Sequence, residues 1–327
     1  REGWTRFVPS WKLGLGTLGS LFTVGALAFS ALFAWAWVTI DIPEENDVAA
    51  AQTSIIYWNN GTREMARLGD TNRISVPIEE IPLEMQHAVV AAEDRRFYEH
   101  SGFDIVGFSR AMWNNLTTGS TQGGSTITQQ YAKNAYLTQD QTYIRKFKEL
   151  VLSLKLESNL SKDQIMERYL NTIYFGRGAY GIETAAEAYF GVSASELTLE
   201  QSAVLAAIIN SPGAFNPETN MDALQARYAY VLNGMAEEGY ITAAERDAAL
   251  DNFPEIEERS ESERYRGPTG YLIRAVEEEL LELGFTEEEI AAGGLRIVST
   301  FNRKAQRAAV AAVKDEAPTT GMEGVRI

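Results

Sequence analysis

The sequence predicts a mainly α-helical protein with one N-terminal membrane helix and a small β-rich segment. Three observations predict this. Residues 13–40 form an uncharged apolar run. Residues 54–69 hold two short extended stretches about an Asn-Asn-Gly turn. From Leu83 to Leu250, segments of helical periodicity follow one another, separated by Gly and Pro clusters.

The run LGLGTLGSLFTVGALAFSALFAWAWVTI, Leu13 to Ile40, is 28 residues long. About 20 suffice to cross a bilayer as a helix. It is longer than the apolar region of a cleavable signal peptide, and no clear small-x-small site precedes the acidic residues after it. Trp11 at one end and Trp35 and Trp37 at the other suit interfacial aromatic belts. Arg1, Arg6 and Lys12 precede the span, whereas Asp41, Glu44, Glu45 and Asp47 follow it. The basic flank is expected to stay cytoplasmic, leaving everything after residue 40 outside the cell membrane.

Residues 41–76 read as a linker with short strands. Within it, SIIYW and EMARLG flank NNGTR, where Asn and Gly tolerate positive φ, and a weaker strand is expected at Arg73–Val76. Helices are expected at Leu83–Phe97, Ile105–Leu116, Thr126–Asn134, Tyr143–Asn159, Lys162–Ile173, Ile182–Phe190, Leu199–Ile209, Met221–Glu238 and Ala243–Leu250. Residues 77–250 therefore form one helical domain. Residues 251–327 begin as an acidic linker, with thirteen acidic and four basic side chains from Asp251 to Glu289, and are expected to be loosely packed. A strand at Leu295–Phe301 leads into a further helix.

Composition excludes several functions. The chain has 327 residues, 45% of them hydrophobic, and can bury one large core or two modest ones. It lacks cysteine, so disulfides and thiolate metal sites are excluded, and its two histidines, His87 and His100, cannot build a His-rich zinc site. A formal charge of −16 argues against nucleic acid as partner. The locally basic stretch Lys133–Lys155 suggests an anionic ligand or a solvated helix face.

Three segments carry candidate chemistry. Glu93 and Asp94 end an apolar helix; neighbouring positions point about a quarter-turn apart, so the two acids have different jobs. In a poorly solvated cleft one could act as general base; on an open surface the pair would be inert. Gly123 and Gly124 precede a helix start at Ser125 or Thr126, which is either an anion site or an ordinary N-cap. In RKFKE (145–149), the apolar stripe Ile144, Phe147, Val151 and Leu154 should face the core, placing Arg145, Lys148 and Glu149 on the other side. Two cations beside a carboxylate suit a pyrophosphate group, or else a surface salt bridge.

Five segments in order resemble the peptidoglycan glycosyltransferase family, shared by monofunctional enzymes and the N-terminal halves of class A penicillin-binding proteins. They are EDRRFYEHSGFD (93–104), GGSTITQQYAKN (123–134), RKFKE (145–149), RYLNTIYFGRGAYGIETAAEAYFG (168–191) and LTLEQSAVLAAIINSPGAFNP (197–217). The resemblance implies a lysozyme-like, two-lobed domain that polymerises lipid II into β-1,4-linked glycan with inversion, releasing undecaprenyl pyrophosphate. It implies Glu93 as catalytic base and Glu149 as second essential glutamate, holding Mg²⁺ or Mn²⁺ with the substrate pyrophosphate. It further implies Asp94, Phe97, His100, Ser125, Gln129, Gln130, Lys133, Arg145 and Lys148 as substrate-binding or loop-supporting residues. Many members have an arginine where this chain has Gln141, and Arg177 could supply that contact. The last two segments read as architecture, with Asn171, Tyr189 and Phe190 in the core.

The stretch Phe103–Trp113 is either a buried amphipathic helix or a lobe dipping into the outer leaflet. The expected partners are lipid II, the growing lipid-linked glycan, the bilayer and other cell-wall or division proteins. A lysozyme-like glycan-cleaving enzyme and a non-catalytic membrane scaffold are the alternatives. Residues 293–313 resemble the segment that opens the second half of class A proteins, but S-x-x-K, S-D-N and K-T-G are absent. The parent protein is expected to be bifunctional, with a transpeptidase beyond this chain.

Overall fold

The computed structural model describes residues 11–42, 54–68, 74–118, 124–136, 143–258 and 267–316. Gln141, Gly123 and the tail preceding Trp11 lie outside them. The chain is mainly α-helical with one three-stranded sheet.

The apolar run forms α1 (Trp11–Thr39). Its Leu15–Thr39 portion is long and apolar enough to cross a membrane, and almost all of it is exposed, unlike a core helix. Among the described residues its C-terminal half docks against α5 (Tyr143–Asn159). Phe29 meets Phe147 edge-on at 6.2 Å between ring centroids. Lys155 Nζ lies 5.7 Å from the Trp37 ring and donates to the Ile40 carbonyl, a cation placed at the negative end of the helix.

The main core is built on α8 (Leu199–Ile209), whose residues from Ser202 to Ile209 are all buried. A helix that is apolar all round must be enclosed. Packed on it are α2 (Leu83–Glu93) and α9 (Met221–Glu237). Ala88, Ala91 and Ala92 keep the buried side of α2 thin, so α9 approaches until Gly234 has no room for a side chain: an added Cβ would lie 3.2 Å from the Ala91 carbonyl oxygen. The intervening helices are α3 (Ile105–Thr118), α4 (Ile127–Tyr136), α6 (Lys162–Thr172) and α7 (Ile182–Phe190), and α10 (Ala243–Asp251) follows α9. Capping boxes of Ser161 with Gln164, Thr198 with Gln201 and Thr242 with Glu245 start α6, α8 and α10.

Several expectations change. The helix ending at Phe97 stops at Glu93, because Asp94 leaves helical geometry at φ −156°. Residues 74–76 are not a strand. The Asn171 side chain substitutes for a partner strand, accepting from the Val76 N–H at 3.0 Å and donating to its carbonyl at 2.8 Å. Of the stripe Ile144, Phe147, Val151 and Leu154, only Val151 is fully buried, so the stripe as a whole is not the core face of α5. Glu149, Leu152, Ser153 and Leu156 turn inward, while Phe147 faces α1 and Ile144 is exposed. On α3 the large apolar side chains Ile105, Val106, Phe108, Met112, Trp113 and Leu116 are exposed, so this helix is not buried.

The described part of the acidic segment from Gly267 onward is not loosely packed. It forms α11 (Gly267–Glu282) and α12 (Glu287–Ala292), with β3 (Arg296–Val298) and α13 (Arg303–Glu316) beyond. Strand β1 (Ile55–Tyr57) sits between β2 (Glu64–Arg67), antiparallel, and β3, parallel, in the order β2-β1-β3. Ile273, Val276 and Ile290 join Ile56 and Leu68 in a second small core under this sheet. The segments expected as two separate linkers are thus one structural unit.

Candidate active site

The C-terminus of α2 and the N-termini of α4 and α5 converge on a cleft of about 1120 Å³. Glu93, Asp94, Ser125, Gln129, Gln130, Lys133, Arg145 and Glu149 all line it. Phe97, His100 and Lys148 do not.

Glu93 emerges where α2 leaves the core, so a helix whose second half is buried and apolar delivers its last residue, a carboxylate, to the cleft. Gln130 Nε2 donates to Glu93 Oε2 at 2.8 Å, and Tyr169 Oη donates to Gln130 Oε1 at 3.0 Å, fixing the amide's orientation. From the far side, Asn210 Nδ2 and an Arg227 terminal nitrogen each lie 3.3 Å from Glu93 Oε1. Arg227 also stacks over Tyr230 at 4.4 Å. Neither Asn210 nor Arg227 carries a local sequence signal; their separations of 117 and 134 residues from Glu93 are closed only by tertiary packing.

Asp94 serves the architecture of the cleft. Its carboxylate accepts from His100 Nε2 at 2.9 Å and from the Ile127 N–H at 3.1 Å. Thr126 Oγ1 accepts from the Gln129 N–H at 3.2 Å, and Gln129 Oε1 accepts from the Thr126 N–H at 3.3 Å. The start of α4 is therefore an ordinary N-cap reinforced by Asp94, and at least two of its free amide groups are taken by the protein itself. Phe97 is fully buried, 6.4 Å from the His100 ring and beneath Lys162 Nζ at 4.4 Å. Phe97 and His100 hold Asp94 in place and do not face the cleft.

The cationic end of the cleft is built by α5. Glu149 is 2% exposed, with Arg145 on Oε1 and Lys146 Nζ 2.8 Å from Oε2. Lys146 Nζ also donates to Ser125 Oγ at 2.8 Å. Lys148, expected as the second cation, is exposed and points away. It is Lys146, one turn before Glu149 on the same side of the helix, that pairs with it. Burial, then the charges of Arg145 and Lys133, hold the Lys146 ammonium below the ordinary lysine value. Glu149 offsets only part of the positive charge of Arg145, Lys146 and Lys133, which leaves this end of the cleft cationic.

Arg177 does not supply a further phosphate contact. Its side chain is buried over the Tyr189 ring at 4.3 Å, donates to the Ala188 carbonyl at 2.7 Å and pairs with Glu218.

The donor set does not fit a divalent ion well. Both Glu149 oxygens are occupied by cations, and no group of three potential metal ligands occurs among the described residues.

A family model described as transglycosylase matches residues 61–236. The chain is 41% identical over 308 residues to penicillin-binding protein 1A of Mycolicibacterium smegmatis, covering 90% of this chain and 39% of that protein. Against penicillin-binding protein 1A of Mycobacterium tuberculosis it is 39% identical over 313 residues, 93% of this chain and 38% of the relative. Against the Escherichia coli protein of the same name it is 40% identical over 276 residues, 84% of this chain and 32% of the relative. The chain thus spans about two fifths or less of the length of these relatives. The matched region contains every residue of the cleft's two poles, from Glu93 to Arg227, and the chain belongs to the transglycosylase family.

Proposed function

We propose that the chain polymerises lipid-linked disaccharide units into peptidoglycan strands. The carrying observation is that one cleft holds a carboxylate, Glu93, and a separate cationic cluster of Lys133, Arg145 and Lys146. Glycosyl transfer from a lipid pyrophosphate needs those two poles. In this reading Glu93 takes the proton of the acceptor sugar's 4-hydroxyl as that oxygen attacks C1 of the donor chain. The bond between C1 and the pyrophosphate oxygen breaks on the opposite face, giving inversion, and the leaving group's charge is received by Lys133, Arg145 and Lys146.

Gln130 and Asn210 orient the base, and Arg227 fixes it from the side away from Gln130. Glu149 orients the two cations and limits their mutual repulsion. A Mg²⁺ or Mn²⁺ ion held by Glu149 together with substrate phosphates would have to displace the cations already there. The usual glycosidase places two carboxylates across the bond; Asp94 and Glu149 do not offer the second, because Asp94 holds His100 and the Ile127 N–H and Glu149 holds two cations.

The same reading makes α1 a membrane anchor with the cleft on the extracytoplasmic side, and the exposed apolar face of α3 a contact with the outer leaflet. It makes lipid II and the lipid-linked glycan the substrates. Contacts with other cell-wall or division proteins, and a transpeptidase in the parent protein, belong to it as well.

The test is polymerisation of labelled lipid II by the detergent-solubilised protein, wild type beside Glu93→Gln. Long glycan from the wild type and none from a folded mutant is expected. Equal product from both would remove Glu93 from the mechanism.

A further inference from the structure

The cleft has a wall that lies outside the transglycosylase match. Leu281, at the end of α11, and Thr286 and Glu287, at the start of α12, line the same space as Glu93 and Lys146. This wall is attached to the main body at a specific place. Tyr174, in the loop between α6 and α7, donates its hydroxyl proton to Glu287 Oε2 at 3.2 Å and accepts from the Gly178 N–H at 3.2 Å. Tyr174 also packs on Tyr180 at 4.7 Å, and Ala291 of α12 completes the apolar cluster beneath. The far end of the segment is tied to the sheet, where the Ser54 N–H donates to the Ala291 carbonyl and the Leu295 N–H to Ser54 Oγ. Burial, with Glu287 and Tyr180 beside it, pushes the Tyr174 phenol well up, so it remains a donor to Glu287.

The chemistry of this wall is opposite to that of the cationic pole. Glu287 repels phosphate, so its part of the cleft suits an uncharged portion of a ligand. Its second carboxylate oxygen has no partner among the described residues. A carboxylate oxygen beside a half-exposed leucine matches a pyranose, which offers hydroxyl donors at its rim and C–H groups on its face, while the Thr286 hydroxyl is held in the capping box with Glu289 and fixes the turn.

We propose that the α11–α12 turn is a carbohydrate subsite: Leu281, Thr286 and Glu287 receive a sugar of the bound glycan beyond the two that react. The proposal rests on the polymerase reading above. A chain-lengthening enzyme keeps its product bound between additions, and each extra sugar held slows release relative to the next transfer. The subsite therefore acts on product length.

The experiment measures glycan length, and KM and kcat, with fluorescent lipid II for wild type, Glu287→Ala, Glu287→Gln and Glu282→Ala. The last lies on α11 outside the cleft and controls for lost negative charge. Removing one hydrogen-bond acceptor should shorten the mean glycan about threefold in Glu287→Ala, with the loss falling on KM more than on kcat. Glu287→Gln, which keeps an oxygen acceptor, should recover most of that length, and Glu282→Ala should match the wild type. Unchanged length in a folded Glu287→Ala would overturn the subsite, as would shortening accompanied by an equal fall in Tm-monitored stability or an equal effect of Glu282→Ala. Absence of any polymer from the wild type would instead overturn the polymerase reading itself.

Discussion

Arg227 lies against Glu93, a terminal guanidinium nitrogen 3.3 Å from Oε1, and the same nitrogen also reaches the Ala92 carbonyl at 3.3 Å. It binds both the end of α2 and the carboxylate that α2 presents. Removing it frees Glu93 to swing toward Asn210 or solvent. A charged hydrogen bond is worth about 1.5–3 kcal/mol, so Arg227→Met should lower kcat by about 10- to 100-fold. KM for lipid II should change little, because Arg227 contacts the base rather than the phosphate pole. Arg227→Lys should recover part of the loss. Steady-state kinetics on folded variants checks this; a loss confined to KM would argue against a positioning role.

Lys146 and Lys148 provide a sharper comparison. Lys146 bridges Ser125 and Glu149 at 2.8 Å each, while Lys148 is exposed outside the cleft. Lys146→Ala should weaken pyrophosphate binding about tenfold, and Lys148→Ala should leave it unchanged within a factor of two. The Lys146 pKa is lowered, chiefly by burial and then by Arg145 and Lys133. Anion affinity therefore falls as pH rises through a value below that of an ordinary lysine, and Lys146→Arg should carry binding to higher pH. The sign for stability is opposite. The unfolded chain holds this proton more tightly, so stability rises with pH between the folded and unfolded values. Calorimetric titration of inorganic pyrophosphate from pH 7 to 10 separates the three variants from one another and from the wild type.

Much of this was legible locally. The helices Tyr143–Asn159, Ile182–Phe190 and Leu199–Ile209 have the boundaries that periodicity and caps predict, because their start and stop signals are contained within a few residues. The misreadings came from long-range contacts. Asp94 ends α2 early because Ile127 and His100 recruit its carboxylate. The spacing of the α5 stripe carries no mark of the docking of Phe147 on α1, and so it points to Lys148 where the structure places Lys146 beside Glu149. In α11 the acidic composition concealed Ile273 and Val276, three positions apart on one face.

Asn171 tests the architecture directly. Its amide satisfies both backbone groups of the extended residue Val76, and also donates to the Glu167 carbonyl at 2.9 Å. Asn171→Ala leaves a buried N–H and a buried carbonyl without partners, at a cost of about 2–4 kcal/mol. Asn171→Asp restores only the acceptor and should recover less than half. Denaturant unfolding measures both, and a cost below about 0.5 kcal/mol for the alanine variant would mean that water replaces the amide.

Gly102 carries a further prediction, because it joins backbone geometry to the cleft. Its φ is +83°, and an added Cβ would lie 2.8 Å from the Ser153 carbonyl oxygen of α5. Its own carbonyl accepts from Thr126 Oγ1 at 2.9 Å, which fixes the residue capping α4. Gly102→Ala therefore combines left-handed strain with a backbone collision, about 1–3 kcal/mol or more. Gly178, at φ +77° with open space around it, isolates the conformational part of that cost. Gly178→Ala should lose about 1 kcal/mol, and Gly102→Ala clearly more. The difference should extend to function, since a shift of α5 against the Thr126 cap moves Lys146 relative to Ser125. At temperatures where both variants are fully folded, Gly102→Ala should bind pyrophosphate more weakly than Gly178→Ala; equal binding would show that the cap and the cationic cluster are mechanically independent.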